Sequence, residues 1–221
     1  MNASEAAAQR ERMVHRQIAG RGIRDPAVLA AMRRVPREEF VAAGLREQAY
    51  EDGPLAIGEG QTISQPFVVA LMLEALRLGR FDRVLEVGAG SGYACAVASL
   101  MAARVDAVER HPSLCDEAAA RLRRLGFAQV DLHCADGSAG WAAGAPYDAI
   151  LVSAAGPRVP GLLRRQLAIG GRLVMPVGEP GFDQHLCKLT RHDEDTFVET
   201  DLGGVVFVPL IGAHAWPADS A

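Results

Sequence analysis

The chain has 221 residues, of which 49% are hydrophobic and 23% are charged, a composition typical of an ordinary globular protein. The formal net charge of −4 argues against a general electrostatic attraction to nucleic acid. The first residues lack the apolar core of a signal peptide, and no apolar run reaches the ~20 residues that span a bilayer. We therefore expect a cytoplasmic monomer that binds neither nucleic acid nor membrane.

The cysteines give no sign of a disulfide framework or a zinc site. They are scattered without a CxxC pair, at Cys95, Cys115, Cys134 and Cys187. Clustered spacing would be needed for either kind of site. We expect four reduced, buried thiols and no bound metal.

The first 50 residues are predicted to be helical. Residues 4–20 form one predicted helix. A second begins at Asp25-Pro26, because Asp can cap a helix and Pro at the first position gives up an amide that has no partner. Pro36 ends this second helix.

From residue 66 onward, helical and strand patterns alternate with short turns. The predicted helices are 66–78, 91–102, 112–126 and 160–171, and the predicted strands are 83–88, 103–109, 129–135, 147–154 and 172–178. These strands are nearly continuous apolar runs, typical of a parallel sheet covered on both faces. After Gly178 the pattern predicts a hairpin with a strand over 184–192, a turn over 193–196 and a strand that ends at residue 210.

The fold class is therefore α/β, with a doubly wound, mostly parallel sheet, an N-terminal helical extension and antiparallel C-terminal strands. We expect one domain over residues 1–221. Its parts are a helical extension (1–50), a loop and helix for the substrate (51–82), a cofactor-binding core (83–178) and the C-terminal strands (179–221).

A glycine-rich turn, EVGAGSG (86–92), follows a predicted strand and opens a helix, which is the context of a nucleotide-binding turn. The dehydrogenase fingerprint would place Gly or Ala at position 93, where this chain has Tyr93. The acidic Glu86 suits a ligand with an amino group better than a pyrophosphate. S-adenosylmethionine therefore fits this turn better than a nicotinamide dinucleotide. The predicted cofactor residues here are Glu86, Gly88, Gly90, Ser91 and Gly92.

Two further positions lie where an adenosyl ligand needs them. Glu109 ends the second core strand, where a carboxylate can accept hydrogen bonds from both ribose hydroxyls. Asp136-Gly137 follows the third strand, where Asp can accept from the adenine amino group and Gly leaves space for the ring. Each acid taken alone could also be a solvated loop residue or a helix cap.

Several stretches resemble the protein-L-isoaspartate O-methyltransferase family, and the resemblance covers nearly the whole chain. They include RVPREEF (34–40), YEDGPLAIGEGQTISQP (50–66), VLEVGAGSGY (84–93), VERHPSL (108–114), CADGSAGW (134–141), PYDAILVSAAGP (146–157), LAIGGRLVMPVG (167–178) and FVPL (207–210). The resemblance implies a methyltransferase fold with rearranged last strands. It also implies methylation of the free α-carboxylate of isoaspartyl residues in damaged proteins and peptides, after which the ester closes to a succinimide.

The most specific of these stretches is GQTISQP (60–66). By the resemblance, residues 61–66 form a loop over the transferred methyl group, with Ser64 directed at the carboxylate and Ile63 among the cofactor-binding residues. An α-carboxyl with a pKa of about 3.3–3.7 is already ionised at neutral pH, so no general base is needed. Neutral donors are preferable to a strong ion pair, which would stabilise the ground state more than the transition state. Ser64 could instead cap the helix that follows.

Other functions remain open at this point. The same catalyst could act on a dedicated modified peptide or a small acid, or the chain could be a catalytically silent cofactor-binding module. A nicotinamide-dependent oxidoreductase is disfavoured by Tyr93 and Glu86.

Overall fold

A computed structural model describes residues 1–181 and 183–217 of the chain. The N-terminal helices begin with α1 (Ala3–Met13), a π-helical turn (Val14–Ile18) and a 3-10 turn (Ala19–Arg21), followed by α2 (Pro26–Arg34). The single helix predicted over 4–20 therefore changes its winding after Met13. The π-helical turn places Val14 and Ile18 in the core, where both are fully buried.

The start of α2 confirms the predicted cap. The Asp25 carboxylate accepts hydrogen bonds from the amides of Ala27 (2.8 Å) and Val28 (3.4 Å), and Pro26 is the first helical residue. After α2, the chain forms two 3-10 helices, Arg37–Phe40 and Ala43–Gln48. The first 50 residues are thus mostly helical, as predicted.

A two-stranded hairpin precedes the main sheet, where the sequence predicted only a loop. Strands β1 (Leu55–Gly58) and β2 (Gln61–Ile63) pair in antiparallel fashion. Glu59 and Gly60 form the turn with φ angles of 51° and 67°. Positive φ at both central residues is typical of a type I′ turn, whose twist matches that of the strands. Helix α3 (Pro66–Leu76) follows directly.

The main sheet has seven strands. In chain order its elements are β3 (Arg83–Val87), α4 (Tyr93–Ala98), β4 (Arg104–Glu109), α5 (Pro112–Leu125), β5 (Val130–Cys134), β6 (Tyr147–Val152), α6 (Gly161–Gln166), β7 (Leu167–Val177), β8 (Gln184–Arg191) and β9 (Phe197–Val205). Short 3-10 helices cover Gly137–Ala139 and Ala142–Gly144. The strand order is β5-β4-β3-β6-β7-β8-β9, in which β8 pairs in antiparallel fashion with both of its neighbours and the earlier strands are parallel. The predicted fold class is confirmed.

The helix predicted over 160–171 was wrong in its second half. Helix α6 ends at Gln166, and the chain continues into β7. Leu167 is fully buried and pairs with Tyr147 of β6. Gly170 has a φ of 79°, which an α-helix does not accommodate. Pairing with β6 therefore outweighs the helical pattern of the sequence.

The helix predicted over 91–102 is also shorter, because α4 ends at Ala98. The Ser99 hydroxyl donates to the carbonyl of Ala96 at 2.8 Å. The amide of Met101 bonds three residues back, to Ala98. Such local hydrogen bonds compete with the α-helical pattern.

The last strand was predicted to end at residue 210. It ends at Val205 instead. The chain then leaves the sheet, and the Phe207 amide donates to the side chain of Gln184 at 2.7 Å. Pro209 has no amide to continue a strand ladder. It forms an isolated parallel bridge with Ala155 instead. Residues 206–211 are thereby brought across the carboxyl ends of the central strands.

The N-terminal helices and one face of the sheet share a single apolar core. It contains Met13, Ile18, Phe40, Tyr93 and Val174, together with residues of α3. A second cluster fills the opposite face of the sheet. We therefore propose that the chain forms a single domain, in which the extension is part of the core. No helix in residues 1–181 and 183–217 is long and apolar enough to cross a membrane.

Three cysteines are buried, as predicted, but Cys134 is exposed. It ends β5, which is an edge strand of the seven-stranded sheet. The prediction of four buried thiols was therefore wrong at this position.

Candidate active site

Two adjoining clefts lie at the carboxyl ends of β3, β4 and β6. Strand β3 pairs with β4 on one side and with β6 on the other, so the chain order reverses there. Ligands of open α/β sheets bind at such a switch point. The Glu109 cleft is lined by Gln61, Thr62, Val87, Gly88, Gly90, Val108, Glu109, Arg110, His111, Gly137, Ser153, Ala154 and residues 208–211. The Glu86 cleft is lined by Thr62, Ile63, Ser64, Val69, Glu86, Gly88, Ala89, Gly90, Ser91, Tyr93, Ala94 and Ser153.

Glu86 is a buried carboxylate, and one of its two oxygens lacks a hydrogen-bond partner among the described residues. Its side chain is 1% exposed, and Oε1 accepts a hydrogen bond from the Ser153 hydroxyl at 3.0 Å. Oε2 is buried and has no partner within the described part of the chain. Burial raises the pKa of the Glu86 carboxyl to about 8, although the hydrogen bond from Ser153 opposes the change. A cationic amine placed here would supply the missing partner and favour the ionised form.

Glu109 joins the glycine-rich turn to the start of α5. One carboxylate oxygen accepts the Gly90 amide at 2.8 Å, and the other accepts the His111 amide at 2.9 Å. The side chain is only 5% exposed. Each oxygen retains a further lone pair for a ligand hydroxyl. The position predicted for the ribose is thus occupied by a carboxylate that is already oriented by the backbone.

The glycines of the turn serve different purposes. Gly88 and Gly90 line both clefts, and Ser91 lines the Glu86 cleft. A Cβ at Gly90 would lie 3.0 Å from the Ile57 side chain, so the hairpin approaches this glycine closely. Gly92 lines neither cleft; its φ of 86° places it at the start of α4, against Leu122 of α5.

Asp136 and Gly137 face different spaces. Gly137 lines the Glu109 cleft, where a Cβ would lie 2.7 Å from Val87 Cγ1. Asp136 lines a neighbouring cleft that shares Ile211 with the first. Its carboxylate accepts hydrogen bonds from the amides of Ser138 (2.9 Å) and Ala213 (2.8 Å). Burial opposes ionisation, but hydrogen bonds from the Ser138 side chain and from the amides of Ala213 and Ser138 outweigh it and lower the pKa of Asp136.

The 61–66 segment runs along both clefts. Gln61 lines the Glu109 cleft, Ile63 and Ser64 line the Glu86 cleft, and Thr62 lines both. The N-cap residue of α3 is Gln65, and no side chain forms a capping hydrogen bond there. Within residues 1–181 and 183–217, the Ser64 hydroxyl has no hydrogen-bond partner, so the capping alternative was wrong. Ser64 and Glu86 line the same cleft.

Three features of the site were not predicted from the sequence. Ser153, which lines both clefts and donates to Glu86, follows β6 directly, a position that could have indicated it. Residues 208–211 line the Glu109 cleft, although the predicted strand continued to residue 210. Arg37 is fully buried and donates to the carbonyl of Ser64 at 2.9 Å. Arg37 lies in RVPREEF (34–40), a stretch that carries the family resemblance and could have indicated it.

Comparison with known proteins agrees with this geometry. The family model described as protein-L-isoaspartate(D-aspartate) O-methyltransferase matches residues 8–215. The chain belongs to this family. A protein-L-isoaspartate O-methyltransferase 1 of Rhodopseudomonas palustris is 56% identical over 97% of this chain and 88% of its own length. The protein-L-isoaspartate O-methyltransferase of Methylorubrum populi is 59% identical over 92% of this chain and 95% of its own length.

Solved structures of isoaspartate methyltransferases share the fold. One superimposes with a TM-score of 0.84 at 30% identity and covers 93% of this chain and 67% of its own. A second, from Plasmodium falciparum, has a TM-score of 0.77 at 25% identity and covers 91% of this chain and 98% of its own. That second protein is in complex with S-adenosyl-L-homocysteine. The predicted membership of the isoaspartate methyltransferase family is therefore confirmed.

Proposed function

We propose that this protein transfers a methyl group from S-adenosylmethionine to the free carboxylate of L-isoaspartyl residues in damaged proteins and peptides. The methyl ester then closes to a succinimide, which begins repair. One observation carries the proposal: Glu86 and Ser64 line one cleft, and within the described residues neither Oε2 of Glu86 nor the Ser64 hydroxyl has a hydrogen-bond partner. An acid that can hold a cationic ligand therefore lies beside a neutral donor that can hold a carboxylate.

The donor set fits S-adenosylmethionine, which when bound supplies a methyl group made electrophilic by a sulfonium. Glu86 would accept hydrogen bonds from the amino group, and Glu109 would accept from the ribose hydroxyls. The Glu109 cleft continues to Gly137, next to Asp136, on the side proposed for adenine. Gly88, Gly90 and Ser91 would face the ligand with backbone, Ile63 would cover it, and Gly92 would shape the turn.

The substrate side needs orientation rather than acid–base chemistry. Ser64 would donate its hydroxyl to the substrate carboxylate, which is already ionised. A neutral donor holds the carboxylate without opposing the loss of negative charge as the ester forms. Alignment of two bound reactants can supply up to ~7–11 kcal/mol in favourable cases. Ser64 is thus the proposed catalytic residue.

We also infer the setting in which the enzyme acts. The net charge of −4 favours protein substrates over nucleic acid, and we propose a cytoplasmic monomer without a membrane partner or a metal. Sedimentation of the pure protein tests the monomer, since a mass near twice 23.5 kDa would contradict it.

The decisive experiment is methyl transfer from labelled S-adenosylmethionine to two peptides that differ only in an isoaspartyl or aspartyl residue. We expect label in the isoaspartyl peptide alone. Label in neither peptide, with S-adenosylhomocysteine still bound in calorimetry, would reject the repair function and favour a dedicated peptide or small acid. The Ser64→Ala variant separates catalysis from silent binding, because a catalytically silent module would show no transfer to lose.

A further inference from the structure

Arg37 stands out as a buried cation for which the proposed reaction has no direct use. Its side chain is 0% exposed. It forms no salt bridge within residues 1–181 and 183–217, and its Nη1 is buried without a partner. Burial lowers the pKa of the guanidinium. Burying a charge without a carboxylate is energetically costly, so the contacts that Arg37 does make are informative.

Those contacts lead to the catalytic loop. Nε donates to the carbonyl of Ala49 at 2.8 Å, and Nη2 donates to the carbonyl of Ser64 at 2.9 Å. The guanidinium carbon lies 4.9 Å from the centre of the Tyr93 ring, which lines the Glu86 cleft. A planar, rigid donor fork that bonds two carbonyls fixes their relative position. The hydrogen bond from Arg37 to the Ser64 carbonyl also fixes the peptide plane between Ser64 and Gln65.

The segment around Ala49 is itself held by the N-terminal helices and the catalytic loop. Gln17, in the π-helical turn, donates to the carbonyl of Tyr50 at 2.9 Å. Gln65, next to Ser64, donates to the carboxylate of Asp52 at 2.8 Å. Residues 49–52 therefore connect the N-terminal helices to the catalytic loop. Arg37 adds a second link, because it bonds both Ala49 and Ser64.

We propose that Arg37 is a positioning residue that sets the orientation of Ser64 for methyl transfer, and that the N-terminal helices act on catalysis through it. The guanidinium stays behind the loop and binds main-chain carbonyls rather than the substrate. Its charge is therefore not offered as an ion-pair partner for the substrate carboxylate. This inference rests on the proposed function.

The test is the Arg37→Lys variant, with Arg37→Met as a second substitution that removes all donors. Lysine keeps a nitrogen donor but cannot form the rigid fork that joins two carbonyls. We expect kcat for the isoaspartyl peptide to fall by about tenfold or more, since small misplacements of a catalytic group have large effects. KM for S-adenosylmethionine and the affinity for S-adenosylhomocysteine should stay within about twofold, because the cofactor acids are separate from Arg37.

Arg172 provides a matched control at the other end of α3. Its guanidinium also bonds two carbonyls, those of Leu76 (2.7 Å) and Arg77 (2.9 Å), and it pairs with Asp82. Arg172→Lys should lower stability while kcat per folded molecule stays close to that of the wild type. An equal loss of kcat in both variants would overturn the proposal, because a general loosening of α3 would then explain it.

Combining the variants separates positioning from a merely structural role. In the Ser64→Ala background, Arg37→Lys should change kcat by less than about twofold, since its effect passes through the missing hydroxyl. A full tenfold loss in that background would overturn the proposal.

Amide hydrogen exchange of residues 61–65 gives a readout that does not need activity. Exchange there should speed up in Arg37→Lys and not in Arg172→Lys. Unchanged exchange in Arg37→Lys would count against positioning even if the wild type proved inactive on isoaspartyl peptides. That inactivity would instead reject the proposed function itself.

Discussion

The cofactor side and the substrate side of the site are built from opposite chemistry. The cofactor side has two buried carboxylates, Glu86 and Glu109, on adjacent strands. The substrate side has the neutral side chains of Gln61, Thr62 and Ser64 on a hairpin and the loop after it. The two sides meet at Gly88 and Gly90, which line both clefts.

The difference follows from what each ligand does during the reaction. A bound amine and two ribose hydroxyls do not change charge during methyl transfer, so fixed carboxylates can hold them throughout. The substrate carboxylate loses its charge, so a strong cationic partner would be weakened in the transition state. The proposed arrangement keeps Arg37 behind Ser64, bound to its main-chain carbonyl, where it orients the loop without competing for the substrate.

The largest expected effect is the pH dependence caused by Glu86. Burial raises the pKa of this carboxyl from its ordinary 4.5 to about 8. The folded protein therefore binds more protons than the unfolded chain between these values, so the free energy of unfolding falls as pH rises from 4.5 to 8. A tenfold change in an ionisation constant corresponds to about 1.4 kcal/mol, which sets an upper limit of roughly 5 kcal/mol on this loss.

Urea unfolding of the cofactor-free protein from pH 5 to 9 measures this effect, with Glu86→Gln as the comparison. The free energy of unfolding of the wild type, relative to that of the variant, should decrease through this window and level off above pH 8. S-adenosylhomocysteine should bind the wild type more tightly at pH 8 than at pH 6. Parallel stability profiles for wild type and variant would mean that Glu86 does not titrate here.

The second effect concerns the substrate side of the site. Ser64→Ala should lower kcat by about a hundredfold, because an unaligned carboxylate loses much of the benefit of proximity. The affinity for S-adenosylhomocysteine, measured by calorimetry, should not change. Thr200→Ala, on the exposed edge strand β9, is a control for removal of a hydroxyl far from both clefts. A variant that retained most of its kcat would remove Ser64 from the proposed mechanism.

The third effect concerns the cofactor side of the site alone. Glu109→Ala should weaken binding of S-adenosylhomocysteine by about 1.5–3 kcal/mol, the range for hydrogen bonds to a charged group. Asp131→Ala is the matched control, since this acid on β5 pairs with Arg104 on the surface. Unchanged affinity in Glu109→Ala would mean that the ribose lies elsewhere.

The smallest effect concerns how the loop is held. Gln65→Ala removes the hydrogen bond to Asp52 without touching either cleft. A single exposed hydrogen bond contributes about 0.5–1.5 kcal/mol, so we expect a loss in kcat of roughly tenfold at most. A loss as large as that of Ser64→Ala would show that the 49–52 connection matters more than Arg37.

The sequence was sufficient where a signal lies within one short stretch. The glycine turn, the acid at the end of β4 and the cap of α2 all depend on neighbours in the chain, and each lies as predicted. The errors occurred where distant segments decide. Leu167 was assigned to a helix because its pattern is helical, but pairing with Tyr147 places it in a strand. Residues 206–210 were predicted as strand, yet they cross the site, because the pairing of β9 with β8 ends at Val205 opposite Gln184, where β8 begins.

By itself, the sequence determined the α/β fold and the nature of the cofactor, because glycines and acids at strand ends are local requirements of a nucleotide turn, and its resemblance to known stretches such as GQTISQP (60–66) indicated the family. Only the tertiary structure decided which polar groups are left without partners. The free oxygen of Glu86 depends on burial, and the bond from Arg37 to the Ser64 carbonyl spans 27 positions of the chain. Such contacts leave no periodic pattern in the sequence, because they join segments that are far apart along the chain.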